Sequence, residues 1–66
     1  MKNSIKIQRA IKDITQEELA NRVGVSRQTI NSIENNRYVP STILSLKISI
    51  VFSKSVNEIF ELEEDD

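Results

Sequence analysis

With 66 residues and a formal net charge of −1, the chain has room for one small domain and none for a second. Cys and His are both absent, so a disulfide framework, a thiolate or imidazole metal centre and the usual nucleophile–base pairs are excluded, and neither a metal, a cofactor nor enzymatic activity is expected. No apolar run approaches the roughly 20 residues of a membrane span, and the start MKNSIKIQRA lacks a continuous apolar secretory segment, so a cytoplasmic protein with no membrane contact and an aliphatic core is expected.

The small net charge hides a split chain. Residues 1–60 carry all nine Lys/Arg and five Asp/Glu, a net +4, whereas Glu61, Glu63, Glu64, Asp65 and Asp66 contribute −5. This divides the chain into a basic domain over residues 1–60 and an acidic tail over 61–66. The tail reads as a solvated, frayed terminus, with solubility or repulsion of a nucleic-acid backbone from the basic domain as its functional alternative.

In chain order, residues 2–12 read as a helix whose Ile5, Ile7, Ala10 and Ile11, with Ile14 beyond, form a broad apolar sector. Lys2, Lys6 and Lys12 remain solvated. Arg9 lies near that sector and either extends to water or meets an acidic group in the fold. Asp13 belongs to a short connection, and Ile14 can act as a hydrophobic staple.

Thr15 is a helix N-cap, and Glu18 three residues later completes a capping box. Leu19, Ala20 and Val23 give this second helix one apolar face, and Gly24 ends it. Val25 fills the angle, Ser26 caps a third helix, and Ile30 with Ile33 forms its buried edge. Asn36 suits the left-handed position after that helix. Pro40 biases its predecessor to extended geometry, and Ser41 caps a fourth helix over roughly residues 42–52. Leu44, Ile48, Val51 and Phe52 fall at core spacing there. Ile43, Leu46 and Ile50 are apolar beyond one face, packing within the domain or meeting a second subunit. Ser53 and Lys54 turn the chain, Ser55 and Glu58 form a second capping box, and Val56, Ile59 and Phe60 are the contacts of a last short helix, with Leu62 continuing toward the end. No strand alternation or repeat is visible, so the fold class is all-α, five helices in one unit.

The candidate site is the outer face of the third helix. Arg27 can donate twice to guanine O6/N7 and Gln28 can pair with adenine N6/N7, with Ser32 one turn on and Asn31 as an auxiliary reader, so the row suits the major groove of double-stranded DNA. Gln16, at a helix N-terminus, and Asn35, Asn36 and Arg37, at the other end, can hold phosphate, although a capping role is preferred for Asn36. Tyr38 can donate to phosphate or pack against the following linker.

The run TQEELANRVGVSRQTINSIENNR, followed by YVPS and SVNEIF, resembles the Xre family of helix-turn-helix regulators, related to the DNA-binding domains of the lambdoid Cro and repressor proteins. The resemblance spans roughly residues 2–60. It implies a compact five-helix lambda-repressor-like domain acting as a homodimer on paired half-sites. It implies phosphate positioning by Gln16, Asn35 and Arg37, base reading by Arg27, Gln28 and Ser32 with Asn31 auxiliary, and a structural pair between Arg9 and Glu34. Asn36 and Ser53 stand where relatives often have Gly, and Lys54 where many have an apolar residue. The expected function is therefore sequence-specific transcription regulation, as a repressor. Ile43, Leu46, Ile50, Phe60 and Leu62 are the expected dimer contacts. The same apolar excess supports the competing reading, a protein-binding or antitoxin-like module with a regulatory protein partner.

Overall fold

The computed structural model describes residues 1–66. Five helices are closed by a small ribbon: β1 (Lys2–Asn3), α1 (Ile5–Lys12), α2 (Gln16–Val23), α3 (Arg27–Glu34), α4 (Thr42–Phe52), α5 (Val56–Ile59) and β2 (Phe60–Glu61). The all-α class holds, and no helix is long and apolar enough to cross a membrane.

Local chemistry explains most helix boundaries. Thr15 Oγ1 accepts from the Glu18 amide at 3.0 Å while Glu18 Oε1 accepts from the Thr15 amide at 3.0 Å. Ser55 and Glu58 repeat the same reciprocal cap at 3.2 and 2.9 Å. Ser26 and Ser41 each cap with one hydroxyl, accepting from the Thr29 and Leu44 amides. These side chains satisfy donors that the first helical turn leaves free. At the other ends, Gly24, Asp13, Asn36 and Ser53 adopt positive φ. After α3, the Asn36 amide reaches the Ile33 carbonyl at 3.0 Å and the Arg37 amide reaches that of Ser32 at 2.8 Å, the paired closure of a Schellman turn.

The core is one cluster of twelve apolar residues drawn from every helix and from β2, with Ile5, Leu19, Ile30, Ile33 and Ile48 fully enclosed. Helix α2 packs against both α3 and α4, and α4 also meets α1 and α5. This arrangement seats Ile30 and Ile33 inward and leaves the opposite face of α3 open.

The amino-terminal segment departs from expectation. Lys2 and Asn3 do not begin the first helix; they pair antiparallel with Glu61 and Phe60. The Ser4 amide donates to the Ile59 carbonyl at 2.9 Å, and Asn3 Oδ1 accepts from the Ile5 amide at 3.2 Å, so the helix starts only at Ile5. The broad apolar sector is not buried either. Ile5 is enclosed, whereas Ile7 and Ile11 are 61% and 72% exposed. At 3.6 residues per turn they project about 200° and 240° around the axis from Ile5, and a helix at the edge of a small domain has neighbours on one side only. Arg9, about 40° from Ile5 by the same geometry, therefore points inward.

At the other terminus, Phe60 turns from helical to extended geometry and is 7% exposed. Contrary to its expected place among dimer contacts, it is a core residue, because the ribbon folds it over the bundle. Glu61 Oε1 lies 3.1 Å from Lys2 Nζ, and the Met1 amino group lies 3.1 Å from Glu63 and 2.9 Å from Asp66. The acidic end thus folds back on the start of the chain instead of fraying.

Candidate nucleic-acid interface

The geometry of α3 follows from its cap and its two buried isoleucines. With Ile30 and Ile33 inward, Arg27, Gln28, Asn31 and Ser32 fall within a sector about 140° wide on the opposite side. Arg27 and Gln28 are exposed, and Asn31 and Ser32 are half-buried. A surface concavity of about 380 Å³, lined by Ser26, Gln28, Thr29, Ser32, Arg37 and Tyr38, runs along this face. Its hydroxyl, amide and guanidinium groups can match the donors and acceptors of base edges and phosphate oxygens.

Several of these side chains are already engaged. Asn35 Nδ2 donates to the Asn31 carbonyl at 3.0 Å and to Asn31 Oδ1 at 3.2 Å, so the acceptor of Asn31 is shared and its Nδ2 is left to meet a ligand. Ser26 Oγ and Thr29 Oγ1 lie 3.0 Å apart, which turns the Thr29 hydroxyl toward the cap. Arg37 is exposed just past the turn at Asn36, and Tyr38 is 49% exposed beside it.

Behind the face sits a charged anchor. Arg9 Nε donates to Glu34 Oε2 at 2.7 Å and its Nη2 to Oε1 at 3.1 Å, while Nη1 donates to the Ile14 carbonyl at 3.1 Å. The two side chains are 16% and 6% exposed. The hydrogen bond to Glu34 raises the Arg9 pKa above its already high value, with desolvation opposing. Gln16 Nε2 adds a third donor to Glu34 Oε1 at 3.3 Å. Its carbonyl accepts from Arg27 Nη1 at 3.4 Å. Gln16 is therefore bonded across to α3, an arrangement that placement at a helix N-terminus alone did not reveal.

A second brace passed unnoticed in the sequence. Asn3 Nδ2 donates to the Ile33 carbonyl at 2.9 Å and to Asn36 Oδ1 at 3.3 Å, tying β1 to the end of α3. The only available signal was a polar residue ahead of an apolar run, which does not name a partner 30 positions away. Thr29 and Lys47 were also missed as surface residues of this region; both line a shallow hollow with Val23, Gly24, Val25, Tyr38, Ser41 and Ile43. Of the expected dimer contacts, Ile43, Leu46, Ile50 and Leu62 are 68%, 51%, 76% and 77% exposed.

Two helices joined by a tight turn, the second presenting a polar row while its apolar edge is locked into a five-helix bundle, define a helix-turn-helix DNA-binding protein. The helix-turn-helix family model matches residues 5–59, and the chain belongs to that family, in its Xre-like form. It is 47% identical over 66 residues to an uncharacterized HTH-type transcriptional regulator of Methanocaldococcus jannaschii, covering all of both chains. The uncharacterized HTH-type transcriptional regulator YgzD of Bacillus subtilis is similar to the same degree, again over the whole of both. The ImmF control region 10 kDa protein of Bacillus phage phi105 is 40% identical over 53 residues, 80% of this chain and 59% of that one.

Proposed function

We propose that this protein is a cytoplasmic, non-catalytic transcription regulator that acts as a homodimeric repressor, reading paired half-sites of double-stranded DNA through α3. The observation that carries the reading is the open polar sector of Arg27, Gln28, Asn31 and Ser32 on a helix whose other face is fixed by Ile30 and Ile33. Arg27 and Gln28 are the principal base readers, Ser32 and Asn31 the secondary ones, and Gln16, Asn35 and Arg37 the phosphate contacts. One short helix touches few base pairs. Two copies supply affinity and specificity together when their helices enter grooves one turn apart, about 34–36 Å. Domain extents of 31 × 22 × 20 Å support such side-by-side placement. Ile43, Leu46, Ile50 and Leu62 are the proposed dimer contacts, and repression follows where the operator overlaps a promoter.

The test is selection from a randomised duplex pool at physiological salt, with Arg27→Ala and Gln28→Ala proteins confirmed as folded. Recovery of a two-fold symmetric motif whose preference each variant loses at a different position supports the reading; weak binding to every sequence that vanishes with salt refutes it. A second reading, a module whose target is another protein, draws on the same exposed aliphatic side chains. It predicts a stable complex with that partner and no sequence preference on DNA.

A further inference from the structure

Asn3 stands where the ribbon meets the end of α3. Its pairing with Phe60 and the bond from the Ser4 amide to the Ile59 carbonyl hold its backbone, so the side chain starts from a fixed point. The carboxamide is used at both ends. Oδ1 accepts from the Ile5 amide at 3.2 Å, whereas Nδ2 donates to the Ile33 carbonyl at 2.9 Å and to Asn36 Oδ1 at 3.3 Å. These partners settle its orientation, because the Ile5 amide needs an acceptor and the other two oxygens need a donor with two hydrogens.

The segment it grips is the turn that launches Arg37. The last carbonyls of a helix lack partners within the helix, and that of Ile33 accepts from the Asn36 amide at 3.0 Å as well as from Asn3. Asn36 itself sits at φ +60, a conformation that strains a residue with a Cβ and that its surroundings must hold. Arg37 follows directly, exposed and lining the same hollow as Gln28 and Ser32.

We propose that Asn3 is a positioning residue for DNA binding, holding the turn at Asn36 so that Arg37 meets the phosphate backbone in register with the base readers of α3. The proposal rests on the reading of Arg37 as a phosphate contact. An arginine on a loose helix end gives up many arrangements of turn and side chain when it reaches phosphate, and the brace removes the backbone share of that loss beforehand. Phosphate contacts carry no base identity, so the effect of Asn3 falls on affinity for every sequence alike.

The experiment compares wild type, Asn3→Ser, Arg37→Ala and the double variant, with thermal melts confirming that each is folded. Serine is neutral and its hydroxyl can still accept from the amide two residues on, but it is too short to reach α3. Asn3→Thr, which suits a strand better, serves as the second variant. In the free protein the Asn36 and Arg37 amides of Asn3→Ser are expected to exchange with solvent about three- to tenfold faster relative to those of α2. On the duplex recovered by selection and on duplexes changed at single positions, Asn3→Ser is expected to weaken binding uniformly by about threefold, with a shallower dependence on salt. In the Arg37→Ala background it is expected to change affinity less than about 1.5-fold, whereas a contact that only stabilised the fold would act equally in both backgrounds. Unchanged exchange at the turn, an equal effect with and without Arg37, or a loss confined to single base positions overturns the proposal alone. Full-strength binding by Arg37→Ala overturns the reading of Arg37 as a phosphate contact, and the proposal with it.

Discussion

Arg9 and Glu34, 25 residues apart, meet as a fork in which Nε and Nη2 of the guanidinium each take one carboxylate oxygen. The pair joins α1 to the last residue of α3, and with both side chains largely out of water its energetics depend on keeping both partners. Desolvation offsets much of the mutual attraction, but an abandoned partner remains buried without compensation. Arg9→Met is therefore expected to lower stability by about 2–4 kcal/mol, and Arg9→Met with Glu34→Leu to recover part of that loss. Urea unfolding followed by circular dichroism measures both, and equal instability of the single and double variants would count against the argument.

Ser53 ends α4 at φ +53 and is exposed. Ser53→Gly removes the left-handed penalty and is expected to stabilise the fold by about 0.5–1 kcal/mol, roughly 3–6 °C in melting temperature. Asn36, at φ +60, offers a contrast, because its side chain accepts from Asn3. Asn36→Gly gives up that contact and is expected to gain less. Thermal melts of the two variants compare the positions directly.

The two ends of the chain make stability depend on alkaline pH. Hydrogen bonds to Asp66 and then Glu63 raise the Met1 amino group above its ordinary value of 8.0. A raised cation stabilises the folded state fully below pH 8 and loses that contribution as pH climbs through the folded value. The melting temperature is expected to fall with rising pH on that limb. Acetylation of the amino group is expected to flatten the dependence and to lower the melting temperature at pH 7. Superimposable curves for the free and acetylated proteins would refute the role of the clamp.

On the acid side the sign reverses. The Ser55 backbone amide and then its hydroxyl depress the Glu58 pKa, and the Glu63 backbone amide and then the Met1 amino group depress that of Asp66. Both carboxylates stabilise the fold above their unfolded values and cease to do so as pH falls through the folded ones. Glu58→Gln is expected to shrink the loss of stability on acidification, as read by melting temperature between about pH 6 and 3.

Arg37 is exposed beyond the helix that carries the base readers. If it holds phosphate, Arg37→Ala is expected to weaken all duplexes alike and to reduce the slope of log K against log salt by about one. Ile50, 76% exposed on α4, tests assembly. Ile50→Lys is expected to shift a dimer toward monomer in sedimentation, with the half-site preference of α3 retained.

The amino-acid sequence by itself determined the helix-turn-helix. Its signals are local: Thr15 with Glu18, Ser26 before Arg27, and Ile30 with Ile33 all act within one or two helical turns, where backbone sterics and capping hydrogen bonds operate. Ser41, Ser55 and Glu58 were legible for the same reason. Tertiary structure alone decided which side of α1 is inside, since Ile5, Ile7 and Ile11 are equally apolar and only packing against the rest of the core selects Ile5. It also turned Lys2 and Asn3 into a strand, because their partners Glu61 and Phe60 stand at the other end of the chain, and it drew Phe60 into the core. The hydrogen bonds that link Arg9, Glu34, Gln16 and Arg27 join three helices, and their geometry exists only after those helices have packed. A hydrogen bond or a buried face needs a neighbour in space, and spacing along the chain names that neighbour only when it lies within a turn or two.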